Sequence, residues 1–362
     1  MASVGIGIIG SQFAADLHAQ ALAQVPGAAV VAVASPTAEH ARAFAERHGI
    51  PRWFTDYREV VTHPQVDVVS VCAPNDLHAP LALAAAEAGK HVIVEKPLCL
   101  NLEEAEAVLD ACRRRGVLLM YAEQLCFAPR YQRMRRLIEE DALGRPYLVR
   151  HVGKHFGPHS AWFWDVSRSG GGAFFDMGCH GLELARWLLG KPRAMSVFAH
   201  MATRVHGERT RGEDDAVAVV EFEGGATAII EASWARPGGL DDRVEIYGTG
   251  GHTQGSLHQG GALLTYSLHG YGYAGEKSGD TQGWTFTVYD EIWNGGYVGE
   301  MAHFIRCIRH GLKPLETGED GLAVLELCLA AYESARTDRK VALPFLPRAR
   351  RPIDLLLGAS AP

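Results

Sequence analysis

His91-Val92-Ile93-Val94-Glu95-Lys96-Pro97-Leu98 is an apolar, β-branched run that stops abruptly at an acid, a lysine and a proline. Such a run reads as a strand buried on both faces, the kind found inside a parallel sheet. Ligands of open α/β sheets lie just beyond the carboxyl ends of the strands. That places Lys96 where a substrate meets a cofactor. Pro97 cannot continue the ladder, and it biases Lys96 away from helix. Alone, the stretch is more readily an ordinary strand end with a solvated lysine, so its surroundings decide.

Upstream, Val4 to Ile9 is an apolar run broken by Gly10, and Ala14 to Gln24 reads as a helix. This strand–turn–helix start suggests a dinucleotide site with the diphosphate at the helix N-terminus. The pattern G-x-G-x-x-G matches Gly5, Gly7 and Gly10, but that register lies inside the strand. The useful one begins at Gly10 and runs Gly10-Ser11-Gln12-Phe13-Ala14-Ala15, with Gln12 and Ala15 at the second and third glycine positions. The strand Ala29 to Ala34 ends in Ser35-Pro36-Thr37, where NAD enzymes often place an acid. No arginine follows Ser35 to mark a 2′-phosphate, so NAD is expected, with NADP the alternative. Ser35 and Thr37 serve the cofactor, or Thr37 caps the helix that runs to His48.

Val66 to Ala73 is another buried strand, followed by Pro74-Asn75-Asp76-Leu77-His78. Asn75 or Asp76 suits the cap of the next helix, which Gly89 ends. His78 lies near the cofactor or half in water at a helix start. Leu102 to Arg115 is helical, with acids early and arginines late, as the helix dipole favours. Val117 to Tyr121 closes the sheet. The cofactor-binding set expected from these turns is Gly10, Ser11, Gln12, Phe13, Ala14, Ser35, Thr37, Ala73, Pro74, Asn75, His78, Glu95 and Lys96. Strands alternating with helices predict a doubly wound parallel domain over residues 1–125.

Beyond the helix Pro129 to Glu140 the pattern changes. Tyr147 to Val152, Ala194 to His200, Ala216 to Phe222, Ala226 to Trp234 and Arg243 to Tyr247 read as successive strands with glycine-rich turns. They predict an α+β domain over residues 126–345 with a large, mostly antiparallel sheet. Gly255 to Gly296 has no clear pattern. Val298 to His310 and Asp320 to Arg336 read as late helices that pack back on the molecule, and residues 346–362 as a basic, solvated tail.

Between the second-domain strands lies Gly170-Gly171-Gly172-Ala173-Phe174-Phe175-Asp176-Met177-Gly178-Cys179-His180-Gly181-Leu182-Glu183. If Asp176 is already helical, Asp176, His180, Glu183 and Trp187 share one face. An Asp–His pair at i, i+4 can tune a histidine near neutrality, where it is the usual general base. A surface pair explains Asp176 and His180 about as well. It explains less well the three glycines before them, which let backbone approach something closely.

The 362 residues carry a formal net charge of −7, which argues against nucleic-acid or anionic-membrane partners. The 7 cysteines are scattered without a C-x-x-C pair, and the 17 histidines show no zinc spacing. Reduced thiols in a cytoplasmic protein fit, and no metal is expected. No signal peptide fits before Val4, and no apolar run approaches a membrane span.

With both chemical stretches in view, the chain resembles the glucose–fructose oxidoreductase / inositol dehydrogenase / rhizopine-catabolism (Gfo/Idh/MocA) family along nearly its whole length. The marks are Gly7-Ile8-Ile9-Gly10 with His18, Pro74-Asn75-Asp76-Leu77-His78, and Ala88-Gly89-Lys90-His91-Val92 leading into Glu95-Lys96-Pro97. Later come Gly170-Gly171-Gly172 with Asp176 and His180, and Tyr332-Glu333-Ser334-Ala335. The resemblance implies a Rossmann domain followed by an open-faced sheet domain that mediates dimers or tetramers. It also implies a nicotinamide cofactor, sugar- or cyclitol-like substrates, and Lys96, Asp176 and His180 as the catalytic set.

Three positions depart from the family pattern: Gln12, Glu183 in place of an aspartate, and Glu123-Gln124-Leu125-Cys126-Phe127 without the usual arginine. Lys154-His155-Phe156-Gly157-Pro158-His159 and Trp162-Phe163-Trp164-Asp165 stand in their place. Lys96, Glu123, Lys154, His155, His159, Trp164, Asp176 and His180 are the expected substrate contacts. Aromatics beside polar groups suit sugar faces or an aglycone, and interfaces equally. The activity implied is hydride transfer between a secondary hydroxyl, or the matching ketone, and the nicotinamide. Redox-assisted glycoside cleavage and non-catalytic nucleotide sensing on the same fold are the alternatives.

Overall fold

The computed structural model describes residues 3–258, 263–270, 277, 281–287 and 290–358. Parts of the Gly255 to Gly296 stretch and residues 359–362 of the expected tail lie outside them. Two compact units emerge: Met1–Gln124 with Gly296–Leu325, and Leu125–Gly295 with Glu326–Pro362.

The first unit alternates β1 (Val4–Ile9), α1 (Phe13–Ala23), β2 (Ala28–Ala34), α2 (Ala38–His48), β3 (Trp53–Phe54), α3 (Tyr57–Val61), β4 (Val68–Val71), α4 (His78–Glu87), β5 (His91–Glu95), α5 (Leu102–Arg115) and β6 (Leu119–Ala122). The six strands are parallel in the order β3-β2-β1-β4-β5-β6. Strand order reverses between β1 and β4, which is where such sheets bind ligands. Val92, Ile93 and Val94 are fully buried, as the continuous apolar run requires. α5 forms as its sequence dictates: the Asn101 side chain accepts from the Glu104 amide at 2.9 Å, and Gly116 ends the helix in the left-handed region. The glycines of the false register face this unit's own chain. A Cβ on Gly5 would lie 1.7 Å from the Gln65 carbonyl oxygen.

The second unit contains α6 (Pro129–Glu139), β7 (Pro146–Lys154), α7 (Val166–Ser169), α8 (Cys179–Leu188), β8 (Ala194–Ala202), β9 (Asp215–Phe222), β10 (Thr227–Ser233), β11 (Asp241–Gly248), β12 (Gly251–Ser256), β13 (Leu263–Ser267), β14 (Gly283–Thr287) and α9 (Glu291–Asn294). Then come α10 (Tyr297–His310) of the first unit, α11 (Gly318–Thr337), β15 (Val341–Ala342) and α12 (Pro352–Leu356). The large sheet runs β12-β11-β7-β10-β9-β8-β15, antiparallel except for the parallel pair β7–β10.

α8 covers one face of this sheet so closely that a Cβ on Gly181 would sit 2.4 Å from His151 Nδ1 and 2.9 Å from Ile230 Cγ2. On the other face Arg150, Lys154 and Glu231 form a polar row, and Phe198 and Val217 are exposed. In the first unit α10 packs on α1, and the Tyr121 amide donates to the Glu316 carbonyl at 3.3 Å. No helix among the described residues is long and apolar enough to cross a membrane.

Candidate active site

In the first unit the carboxyl ends of β1, β2, β4 and β5 gather the expected cofactor residues. Gly10 has φ +128°, and a Cβ there would stand 2.1 Å from the Cys72 carbonyl oxygen. Only glycine lets the loop run this close to β4. Gln12 occupies the N-cap position of α1, and Phe13 and Ala14 begin the helix, so backbone N–H groups at its positive end follow directly on the loop. Ser11 Oγ donates to Ser35 Oγ at 2.9 Å, tying the loop to the end of β2. Thr37 holds the N-cap position of α2 without a side-chain cap bond. Asn75 and Asp76 form a 3-10 turn, and Leu77 rather than either stands at the N-cap of α4. A tight glycine loop, a helix N-terminus and a strand-order reversal together fit a dinucleotide.

His78 is buried rather than half in water. Its ring nitrogens lie 2.7 Å from the Pro97 carbonyl and 2.9 Å from the Ala73 carbonyl. Burial outweighs these two acceptors and holds the imidazole below its ordinary range. Lys96 stands one residue beyond β5, half-buried, and the Lys96–Pro97 peptide is cis. Glu95 is buried and its carboxylate points inward, to His18 at 2.7 Å. Glu123 is fully buried.

In the second unit, residues Phe174–Gly178 form a π-helical turn that leads into α8. The Cys179 amide bonds the Phe174 carbonyl, five residues back. Asp176 therefore stands in a wider turn than the regular i, i+4 face expected from the sequence. Its Oδ2 accepts a hydrogen bond from Trp234 Nε1 at 3.0 Å and lies 4.0 Å from His155 Nε2. Asp176 and His180 are both buried, as is His155, whose ring centroid is 5.2 Å from that of His159. Trp164 meets Trp234 edge-on at 5.6 Å, and the Arg209 guanidinium lies 4.2 Å from its ring centroid.

Lys154 parts company with these residues. It is the last residue of β7, and the two-residue period of the strand turns it to the opposite face from His151 and α8. There its Nζ meets Glu231 Oε2 at 2.6 Å. Glu183 is fully buried and ion-paired to Arg186 and, at 3.2 Å, to Lys191.

Residues 4–123 match the oxidoreductase family model with an NAD-binding Rossmann fold, and residues 131–254 match the GFO/IDH/MocA C-terminal domain. The NAD(+)-dependent scyllo-inositol 2-dehydrogenase of Bacillus subtilis (strain 168) is 31% identical over 94% of this chain and 95% of its own. The chain belongs to the GFO/IDH/MocA oxidoreductase family. The crystal structure of GenD2 from gentamicin A biosynthesis, in complex with NAD, superposes with a TM-score of 0.89 at 33% identity, covering 95% of this chain and 97% of that one. Levoglucosan dehydrogenase in complex with NADH and levoglucosan gives a TM-score of 0.81 at 25% identity, over 95% of this chain and 100% of that one. The oxidoreductase uses NAD, as the family's Rossmann domain does.

Four residues that hold the expected set in place carried no local signal for that role. Trp234 reaches Asp176 from the end of β10, and His18 reaches Glu95 from α1. Glu213 Oε1 accepts from Tyr332 Oη at 2.7 Å and from the Phe174 amide at 2.9 Å, and both its oxygens lie 3.1 Å from the Gly172 amide. Tyr332 belongs to a motif that marked the family, and the structure gives that motif a physical purpose. Its neighbour Ser334 accepts from the Ala199 amide at 2.9 Å.

Burial outweighs the donors around Glu213 and pushes its carboxyl up to about 7. Between the ordinary carboxyl pKa and about 7, the unfolded chain has lost this proton and the folded protein keeps it. Stability contributed by Glu213 is therefore full at acid pH and falls as pH rises through that window. Glu213→Gln keeps the shape and acceptor oxygen without the charge. Its unfolding free energy is expected to gain on the wild type by on the order of 3 kcal/mol between pH 4.5 and 7.5. Urea melts across that range check this; parallel curves contradict it.

Proposed function

We propose that this oxidoreductase oxidises a secondary hydroxyl of a sugar, cyclitol or glycoside, or reduces the matching ketone. The observation that carries the reading is Lys96, one residue past the buried strand β5 in an NAD-binding fold. The chain retains it together with Asp176 and His180. The names of the relatives support the substrate class: inositols in one case, levoglucosan in another.

In this reading the loop Gly10 to Ala14, with Ser35, Thr37, Ala73, Pro74 and Asn75, holds NAD. NAD supplies the hydride acceptor when bound. His180 takes the hydroxyl proton, and the Lys96 ammonium stabilises negative charge developing on the same oxygen. Asp176, fixed by Trp234, orients the substrate. His155, His159 and Trp164 line the polar–aromatic side of the substrate site. Cys179 is a bystander: it is fully buried, and its Sγ donates to the Asp176 carbonyl at 3.2 Å.

The test incubates the enzyme with NAD and myo-inositol, scyllo-inositol, levoglucosan or methyl glucoside, and weighs the products. A ketone formed with an equal amount of NADH supports dehydrogenation. A cleaved glycoside without NADH supports redox-assisted cleavage instead. Binding of NAD without either product supports a sensor.

The open face of the second-unit sheet supports a homodimer or homotetramer. Phe198 and Val217 are 39% and 40% exposed there, and large apolar groups side by side on one sheet face call for cover. Light scattering is expected to give a multiple of 39.3 kDa at micromolar concentration; a stable 39.3 kDa species rejects the assembly. The seven cysteines are free thiols, which fits a cytoplasmic enzyme.

A further inference from the structure

Glu95 and His78 stand on either side of the Lys96–Pro97 turn, and the structure shows what each side chain meets there. Glu95 ends β5, where the ladder stops, and its Oε2 accepts from the Lys96 backbone amide at 3.1 Å. Its other oxygen, Oε1, lies 2.7 Å from His18 Nε2. The opposite nitrogen of that ring, Nδ1, is 2.8 Å from Ser70 Oγ and 3.5 Å from Cys72 Sγ. One fully buried imidazole on α1 thus joins β4 to β5. On the far side of the turn the His78 ring lies between the Pro97 carbonyl, 2.7 Å from Nδ1, and the Ala73 carbonyl, 2.9 Å from Nε2, and its neutral form has one N–H to donate between them. The Lys96–Pro97 dipeptide is held at its entry by Glu95 and at its exit by His78.

We propose that His18, Glu95 and His78 are positioning residues that fix the Lys96–Pro97 turn from inside the sheet, so that the lysine ammonium is presented in one place. This rests on the reading of Lys96 as the residue that stabilises charge on the substrate oxygen. A charged, bonded pair is a stiff strut in a low-dielectric interior, because neither partner has water to fall back on. Burial tends to discharge His18, but Cys72 and Glu95 beside it more than offset this and hold the ring well above its ordinary pKa. Glu300, on α10, is fully buried in the same unit. Burial first, and then Glu95 and Glu123, push its carboxyl up against the opposing pull of His18.

The experiment compares Glu95→Ala, Glu95→Gln, His18→Gln and His78→Asn in the full-length protein. Each is measured for thermal midpoint, NADH affinity by fluorescence, and turnover of the best polyol among the inositols, levoglucosan and methyl glucoside. Glu95→Ala is expected to lower kcat at least tenfold, with KM and NADH affinity within threefold of wild type. Glu95→Gln, which keeps an acceptor for the Lys96 amide, is expected to restore kcat to within threefold.

A second readout needs no substrate. Lys96 is labelled with pyridoxal 5′-phosphate, trapped with borohydride and quantified by peptide mass, with exposed Lys340 as the internal control. Its labelling rate is expected to change at least threefold in Glu95→Ala and His18→Gln, while that of Lys340 stays constant. Lys96 labelling at the wild-type rate in all four variants overturns the proposal. So does loss of thermal stability with unchanged kcat in the folded enzyme. A wild type that oxidises none of the polyols refutes the functional reading alone, because the labelling rates still decide the positioning role.

Discussion

Lys96→Ala and His180→Ala are each expected to cut turnover by at least about a hundredfold while leaving NADH affinity nearly unchanged. Removing hydride from a carbon leaves positive character there unless the hydroxyl proton departs as well. A positioned base is worth roughly 10²–10⁴-fold, and a single donor to a developing oxyanion roughly 10²–10³-fold. In the proposed mechanism both residues act on the substrate oxygen, so neither substitution is expected to leave an efficient route. Lys96 follows β5 and its backbone amide is held by the Glu95 carboxylate, so removing its ammonium leaves the strand intact. His180 lies in the first turn of α8, and alanine is a good helix former there. Asp176→Ala should weaken substrate binding as well as turnover, because it also strips Trp234 of its acceptor. Cys179→Ala serves as the control, since a buried thiol bonded to a carbonyl has no activated thiolate to lose. Steady-state kinetics with fluorescence titration of NADH checks all four. Near-wild-type turnover in Lys96→Ala and His180→Ala, with a dead Cys179→Ala, replaces this assignment with a thiol mechanism.

Gly172→Ala is expected to be the most damaging single methyl group in the second unit. A Cβ there would lie 1.9 Å from the Glu213 carbonyl oxygen and 2.7 Å from the Glu213 amide nitrogen. Both are backbone atoms at the entry to β9, so no flexible side chain can yield. The Gly172 amide also bonds the Glu213 carboxylate, and Tyr332 closes the same cluster. Overpacking a tight core costs about 1–3 kcal/mol, and immovable backbone puts this site at or above the upper end. The thermal midpoint should fall by roughly 6–12 °C for a unit of this size. Activity should fall with it, because the turn bearing Asp176 begins two residues later. A melting curve within two or three degrees of wild type, by the same scaling, contradicts the packing argument.

That cluster shows where the sequence was legible and where it stopped. Three glycines in a row signalled a close approach, and the structure shows one. The partner is this chain's own Glu213 and Tyr332, which no local pattern identifies. The Lys96 strand, α5 and the Gly10 turn were readable because apolar runs, caps and breakers act over a few residues. β3 escaped because a two-residue edge strand has no period to detect. Asp176 stands in a π turn rather than on a regular helical face, because the choice of that turn depends on packing. Lys154 was grouped with His155 by adjacency in sequence, but a strand sends neighbours to opposite faces. His18 was visible only as a family mark. Its role needed the 77-residue separation to Glu95 to be closed in space.

The most direct measurement of the central claim follows a single atom. A polyol substrate carrying deuterium on the carbon of its reactive hydroxyl is oxidised with NAD, and the NADH is recovered for mass analysis. Direct hydride transfer predicts NADH heavier by one deuterium, in equal amount to a deuterium-free ketone. NADH without the label, or consumption of substrate without NADH, contradicts it.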